Sequence, residues 1–193
     1  MNARTTALSA LIAIRRQNAW ADGALKEYIA RDRLSRRDAA LAARLVYGVV
    51  QNRLLLDFDL AQVVSSPLAK LQPVVLDILR LGAYQILFLD GVPDAAVCNE
   101  CVKLATKRGF GPLKGFVNGI LRTIARNKEQ IALPDREKEP LMYLSVRYSM
   151  PLWIVELWQA QYGSRAEDML KAQLEKRPLT IRVNEAMPGE AQS

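Results

Sequence analysis

Residues 76–122 read LDILRLGAYQILFLDGVPDAAVCNECVKLATKRGFGPLKGFVNGILR, and this stretch decides the fold. Just ahead of it Pro73 presets the backbone angle of a first helical turn. Leu76, Leu79, Ala83, Ile86 and Leu87 then recur at three- and four-residue steps, the spacing of one apolar helix face. Asp90, Gly91 and Pro93 stop this helix, and Asp94 is placed to cap the next one. Val97, Cys101, Leu104 and Ala105 form a second stripe that ends at Gly109. A third helix starts near Pro112 and turns Phe116, Val117, Ile120, Leu121 and Ile124 inward, leaving Lys114, Arg122 and Arg126 for the solvent side. Gly119, between Val117 and Ile120, is expected to permit close helix contact, because a helical glycine otherwise costs about 1 kcal/mol relative to alanine. Connections this short force three consecutive helices to pack together.

Towards the N-terminus, Leu8, Leu11 and Ile12 predict a helix over Thr5 to Asn18, with Trp20 added to its buried side and Asp22-Gly23 as its break. A short helix around Ala24 to Ala30 presents Leu25, Tyr28 and Ile29. Ser35 followed by Asp38 is a capping-box signal for a third helix running to Asn52. There Ala42, Leu45, Val46 and Val49 face inward, while Ala39, Ala43 and Gly48 let a neighbour approach. Leu54 to Val64 reads as a fourth helix with Asp57 and Asp59 on its wetter side. Beyond Arg126 the pattern dissolves into NKEQIALPDREKEP, a domain boundary by composition. Leu141 to Tyr148 reads as a short helix. Pro151 opens another with Trp153, Ile154, Leu157 and Trp158 as its apolar face, and Ser164 with Glu167 predicts a capping box for a helix over Ala166 to Lys176. Leu179 to Val183 alternates like the start of a strand, with no second strand to pair with it.

A chain of 193 residues, half of them hydrophobic, buries one main core and a small appendage. No apolar run approaches bilayer length, and the arginines of the N-terminal segment follow its apolar residues, opposite to a secretion signal. With two cysteines and no disulfide framework, a cytoplasmic location is expected. The net charge of +7 is unevenly spread: residues 1–53 hold ten Lys/Arg against four Asp/Glu, 54–100 two against six, 101–128 seven against none, and 129–193 eight against ten. Segregation of this kind serves a phosphate-binding face, and equally an ordinary solvated helical surface.

Cys98-Asn-Glu-Cys101 has the spacing of a zinc or redox motif, but a structural zinc takes four ligands and the chain has no other cysteine and no histidine. Packing of two small buried side chains accounts for the pair better. The missing histidine also removes the commonest general base and any Ser-His or Cys-His pair. No catalytic residue and no metal ligand is therefore assigned.

The strings LRLGAYQILFLDGVPDAAV and GFVNGILR resemble the NusB-like domain at the N-terminus of bacterial 16S rRNA cytosine-C5 methyltransferases, the Sun/Fmu/RsmB family. The resemblance extends back through RLVYGVVQNRLLLDFDL (44–60) and forward through YSMPLWIVELWQAQYG (148–163) to LTIRVN (179–184). The last two segments resemble the linker and first strand ahead of that family's methyltransferase domain. The resemblance implies an all-α fold: a NusB-like bundle over 1–128, then linker helices and the start of the next domain over 129–193, with the catalytic domain absent and the chain cut at its end. It implies an S-adenosylmethionine-dependent parent enzyme making 5-methylcytosine in 16S rRNA, and in this chain an RNA-recognition region with no cofactor of its own. The family's Pro-Cys nucleophile and glycine-rich cofactor loop have no counterpart here, so its catalytic residues map to no position. Implied partners are 16S rRNA and the methyltransferase domain in cis, with no membrane. The expected RNA contacts are Arg4, Arg33, Arg36, Arg37, Lys107, Arg108, Lys114 and Arg122, with the glycines of the Lys107–Gly111 turn exposing backbone N–H groups. The bland alternative for that turn is a helix C-cap with cations at the negative dipole end. Two other readings stand beside this one: a free-standing NusB-type transcription antitermination factor binding RNA and a ribosomal protein, and a structural helical adaptor.

Overall fold

The computed structural model describes residues 2–17, 19–129 and 132–175. Among these residues the fold is all-α, with ten α-helices, two short 3-10 turns and no strand. In chain order the helices are α1 Ala3–Gln17, α2 Ala21–Asp32, α3 Arg36–Gln51, α4 Arg53–Val63, α5 Pro73–Phe88, α6 Asp94–Lys107, α7 Lys114–Asn127, α8 Pro140–Arg147, α9 Leu152–Tyr162 and α10 Arg165–Leu174. The segment expected to begin a strand, Leu179 to Val183, lies outside the described residues.

α5 is the axis of the bundle. It does begin at Pro73, but its apolar stripe understates it: every residue from Asp77 to Ile86 is buried, as expected of a helix enclosed on all sides. α1, α3, α4, α6 and α7 pack around it. Two glycines allow the closest approaches. A Cβ on Gly48 would stand 1.9 Å from the Tyr84 ring, and one on Gly82 would stand 2.6 Å from Leu121 and 3.0 Å from the Cys101 sulfur. Gly119 has no such role, since nothing lies within 4 Å of its would-be Cβ and it is exposed. The close contact between α5 and α7 falls on Gly82 instead. Both cysteines are buried in the core, and burial pushes the Cys101 thiol up to about 12.

Several local expectations change. Asp22 and Gly23 sit inside α2 instead of breaking a helix, and Trp20, expected in the core, is 88% exposed ahead of α2. Asp94 is the first helical residue of α6, not its cap, because Pro93 takes the capping position with an extended backbone. Asp59, expected on the wet side of α4, is 3% exposed. The Ser35 cap forms as read, its hydroxyl accepting the Asp38 N–H at 3.2 Å.

A second, smaller hydrophobic cluster joins Leu144 of α8, Val155 of α9 and Leu170 of α10, with Tyr148 and Trp158 against it. Of the face expected on α9, Trp158 packs against this cluster, whereas Trp153, 66% exposed, and Leu157 are exposed, and Val155 takes the buried position. Ser164 makes no side-chain cap. The Glu167 carboxylate accepts from Arg136 at 2.6 Å and from the Tyr148 hydroxyl at 3.1 Å. This unit is tied to the bundle where the Leu54 N–H, in the first turn of α4, donates to the Ser149 hydroxyl at 2.9 Å.

Candidate nucleic-acid interface

Two short polar side chains on the first turns of α1 hold the basic ends of other helices. Thr6 donates its hydroxyl to Asp32, the last residue of α2, at 2.6 Å. Arg108, just past the end of α6, donates to the Ser9 hydroxyl at 2.5 Å. Thr6 and Ser9 are three residues apart and share a face of α1. The C-terminal ends of α2 and α6 therefore meet on that face. Arg31 and Arg33 come with the first, Lys107 and Arg108 with the second. Arg33 adopts a left-handed backbone, φ 48°, which closes α2 and lets the chain turn into α3. Arg36 and Arg37 follow in the first turn of α3, both exposed. At the other junction Gly109, φ +86°, turns the chain through a 3-10 segment into α7, whose first residue is the exposed Lys114.

The electrostatics of the cluster favour an anion. Asp32 sits at the end of α2 beside Arg31, and the Arg31 guanidinium, 2.8 Å away, holds its carboxyl below the ordinary range against the opposing effect of burial. Arg36, Arg37 and Lys114 occupy first turns of helices, where the dipole opposes a cation. The Ser35 cap takes the Asp38 N–H and the Lys114 N–H bonds the Gly111 carbonyl, so the exposed cations are what these helix starts offer a phosphate.

Two of the expected contacts are less free than the sequence implied. Arg4 is half-buried and donates its Nε to the Gln85 side chain at 2.7 Å, bridging α1 and α5. Arg108 spends one nitrogen on Ser9. Arg122 does not join the cluster: it lies about 12 Å along α7 from Lys114, lining a separate groove with Asp94, Cys98, Gly119 and Arg126. Of the expected contacts, α1 ties down Arg108 through Ser9 and the end of α2 through Thr6 and Asp32, Arg33, Arg36, Arg37, Lys107 and Lys114 are exposed on the segments that adjoin these ends, Arg4 is engaged with Gln85, and Arg122 lines a separate groove. Sequence reasoning missed Thr6 and Ser9. Their signal was a group of hydroxyls, Thr5, Thr6 and Ser9, within the mostly apolar stretch that follows Arg4.

Among the described residues no group of three or more His, Cys, Asp and Glu is arranged to hold a metal ion, and no helix is long and apolar enough to cross a membrane.

Residues 1–126 match the NusB family, and residues 150–190 match the Methyltr_RsmF/B-like, ferredoxin-like domain. The chain belongs to the NusB family. It is 35% identical over 190 residues to the probable ribosomal RNA small subunit methyltransferase B of Bacillus subtilis and 34% identical over 186 residues to the protein of that name in Synechocystis. These matches take in 98% and 95% of this chain but 42% and 41% of those proteins, so the chain spans about two fifths of the length of these curated relatives. Among solved structures it is similar to that of PH0851, with a TM-score of 0.69 and 17% identity over 90% of this chain and 39% of that one. It is also similar to a chain in the crystal structure of a plectonemic RNA supercoil, with a TM-score of 0.63 and 23% identity over 67% of this chain and 96% of that one. At such identities these two likenesses speak for the fold alone.

Proposed function

We propose that this chain is the RNA-recognition N-terminal region of an S-adenosylmethionine-dependent methyltransferase that forms 5-methylcytosine in 16S rRNA. The observation that carries the reading is that Thr6 and Ser9 hold the basic C-terminal ends of α2 and α6 on one face of α1, with Arg33, Arg36, Arg37, Lys107 and Lys114 exposed on the adjoining segments. The names of the relatives supply the substrate class. Residues 1–128 make the RNA-binding domain, and 129–193 lead towards a catalytic domain supplied in cis. The expected setting is the cytoplasm, where ribosomal RNA is modified.

S-adenosylmethionine supplies the methyl group in such a reaction, and the described residues do not fit it. A cofactor cradle of this kind needs a glycine-rich loop following a parallel strand, and the described residues contain neither. The role left to this chain is to hold RNA. Calorimetry of this chain with S-adenosylmethionine is expected to give no saturable heat, and micromolar binding would contradict the assignment.

The match over 150–190 favours this reading over a free-standing antitermination factor, which has no need of a segment like that of a methyltransferase. The test uses the whole reading frame with labelled S-adenosylmethionine and 16S rRNA. Label is expected in cytosine C5, and charge reversal at Lys107, Arg108 and Lys114 is expected to reduce kcat/KM for RNA while leaving cofactor affinity unchanged. No label in 16S rRNA, or full activity after reversal, would overturn the proposal.

A further inference from the structure

Three arginines outside the cluster at the start of α1 gather at one hollow. Arg15 near the end of α1, Arg53 at the first position of α4 and Arg80 in the middle of α5 line one hollow of ≈220 Å³, whose only acidic lining residue is Asp77. Arg80 is 7% exposed. Its Nε and Nη2 grip the two oxygens of Asp57 at 2.6 and 2.8 Å, and its Nη1 reaches Asp77 at 3.4 Å. Arg15 donates its Nε to the other Asp77 oxygen at 2.8 Å. Both carboxylates are thereby engaged, and three guanidinium groups face two acids. The surplus charge comes with an unused donor, since the Arg15 Nη2 is buried without a hydrogen-bond partner. A buried charged N–H in that state costs free energy until an acceptor reaches it. Arg53 adds an exposed cation at a helix N-terminus, where the dipole disfavours one. A concave site with excess guanidinium charge and an unfilled donor suits an oxyanion, phosphate above all.

A second observation adjoins the first. Trp20 is 88% exposed, and no packing role explains it. Two residues on, Asp22 accepts a hydrogen bond from the Tyr47 hydroxyl of α3. Tyr47 and Val50 are both exposed and one turn apart on α3, and Val50 is part of the wall of the hollow. The Tyr47–Asp22 bond thus ties the start of α2, just past the exposed Trp20, to the stretch of α3 whose Val50 lines the hollow. An aromatic face beside a phosphate-binding group is the arrangement on which unpaired bases stack.

We propose that the Arg15–Arg53–Arg80 hollow is a phosphate subsite for single-stranded RNA, with Trp20 as the platform for an adjacent unpaired base. This rests on the RNA-binding reading above and deepens it. The cluster at the start of α1 holds RNA by charge alone, whereas the surface at the far end of the same helix selects unpaired nucleotides.

The test measures anisotropy of a labelled single-stranded oligonucleotide of about ten nucleotides against the full chain and two variants, Trp20→Ala and Arg53→Gln. Both side chains are exposed, and circular dichroism checks that the fold is kept. Trp20→Ala should weaken the single strand by about 5- to 150-fold, the worth of one stacked base, and leave a duplex of the same sequence unchanged. Arg53→Gln should lower the salt slope by about 0.7. Inorganic phosphate at constant ionic strength should displace the oligonucleotide from the wild type more readily than glutamate does. If glutamate competes as well as phosphate, the hollow takes a protein carboxylate and the proposal is overturned. If both variants bind like wild type while reversal of Lys107, Arg108 and Lys114 abolishes binding, the subsite is wrong and the RNA reading stands. If the wild type binds no RNA, that reading fails and the subsite falls with it.

Discussion

Gly82 and Gly119 face opposite constraints. A methyl group at Gly82 meets Leu121 and Cys101 where α5, α6 and α7 come together, while one at Gly119 meets nothing. Gly82→Ala should destabilise by about 1–3 kcal/mol through overpacking, whereas Gly119→Ala should gain up to about 1 kcal/mol of helix propensity. Denaturant midpoints of the two variants compare them directly, and a stabilised Gly82→Ala would refute the close helix crossing. Asp59 gives a pH-dependent test. One of its oxygens is buried without a partner, and burial pushes its carboxyl from 3.8 to about 6. The folded state thus keeps a proton that the unfolded state releases. Its contribution is fully present below pH 4 and is lost as pH rises through 6, a swing of about 3 kcal/mol for a shift of that size. Asp59→Asn should remove this fall, so the stability difference between variant and wild type should move in the variant's favour from pH 4 to pH 7. A difference that does not change with pH would show Asp59 to be solvated.

At the scale of helices, Ser149 ties the end of α8 to the start of α4 by a hydrogen bond. Its hydroxyl takes the Leu54 N–H, one of the donors that the start of α4 leaves unsatisfied. Ser149→Ala should cost about 1 kcal/mol, the usual worth of a lost cap, and should speed amide exchange in the first turn of α4. Unchanged exchange there would mean that the contact carries no weight. The helices themselves were legible wherever the sequence speaks locally. Pro73, Ser35 and Gly109 each do what their backbone chemistry predicts, and the stripe of α7 matches its buried Val117, Leu121 and Ile124 because one face of that helix is wet. α1 and α5 were legible as helices but not as enclosed ones, since a stripe read at helical spacing does not count the neighbours on the other sides. The polar ties were beyond reach. Arg80 finds Asp57 at a separation of 23 residues and Arg108 finds Ser9 at 99, distances over which composition and spacing carry no pairing information. Asp59 misled for the same reason, because α4 packs on α5, α7 and α8 together, more neighbours than a helical stripe in the sequence reveals.

Across the whole molecule, the charge segregation visible in the sequence becomes a place. Of the eight basic residues singled out there, Arg108 is held on α1 by Ser9, Arg33 follows the end of α2 that Thr6 holds, Arg4 is engaged with Gln85, and Arg122 belongs to a different groove. Runs of charge showed that a basic face was to be expected, but not which helix ends α1 would bring together. The α8–α10 unit supplies a control, since there Arg136 pairs with Glu167 at 2.6 Å and Lys138 with Asp135 at 3.3 Å. The most direct measurement is the salt dependence of binding to 16S rRNA fragments. The account predicts a steep linear fall of log affinity with log salt, with a slope near −0.7 per neutralised phosphate for single strands. Converting Lys107, Arg108 and Lys114 together to glutamate should remove most of that slope, while the same change at Arg136, Lys138 and Lys171 should alter it little. Equal losses from the two sets would show that total charge alone governs binding and would contradict a dedicated RNA face.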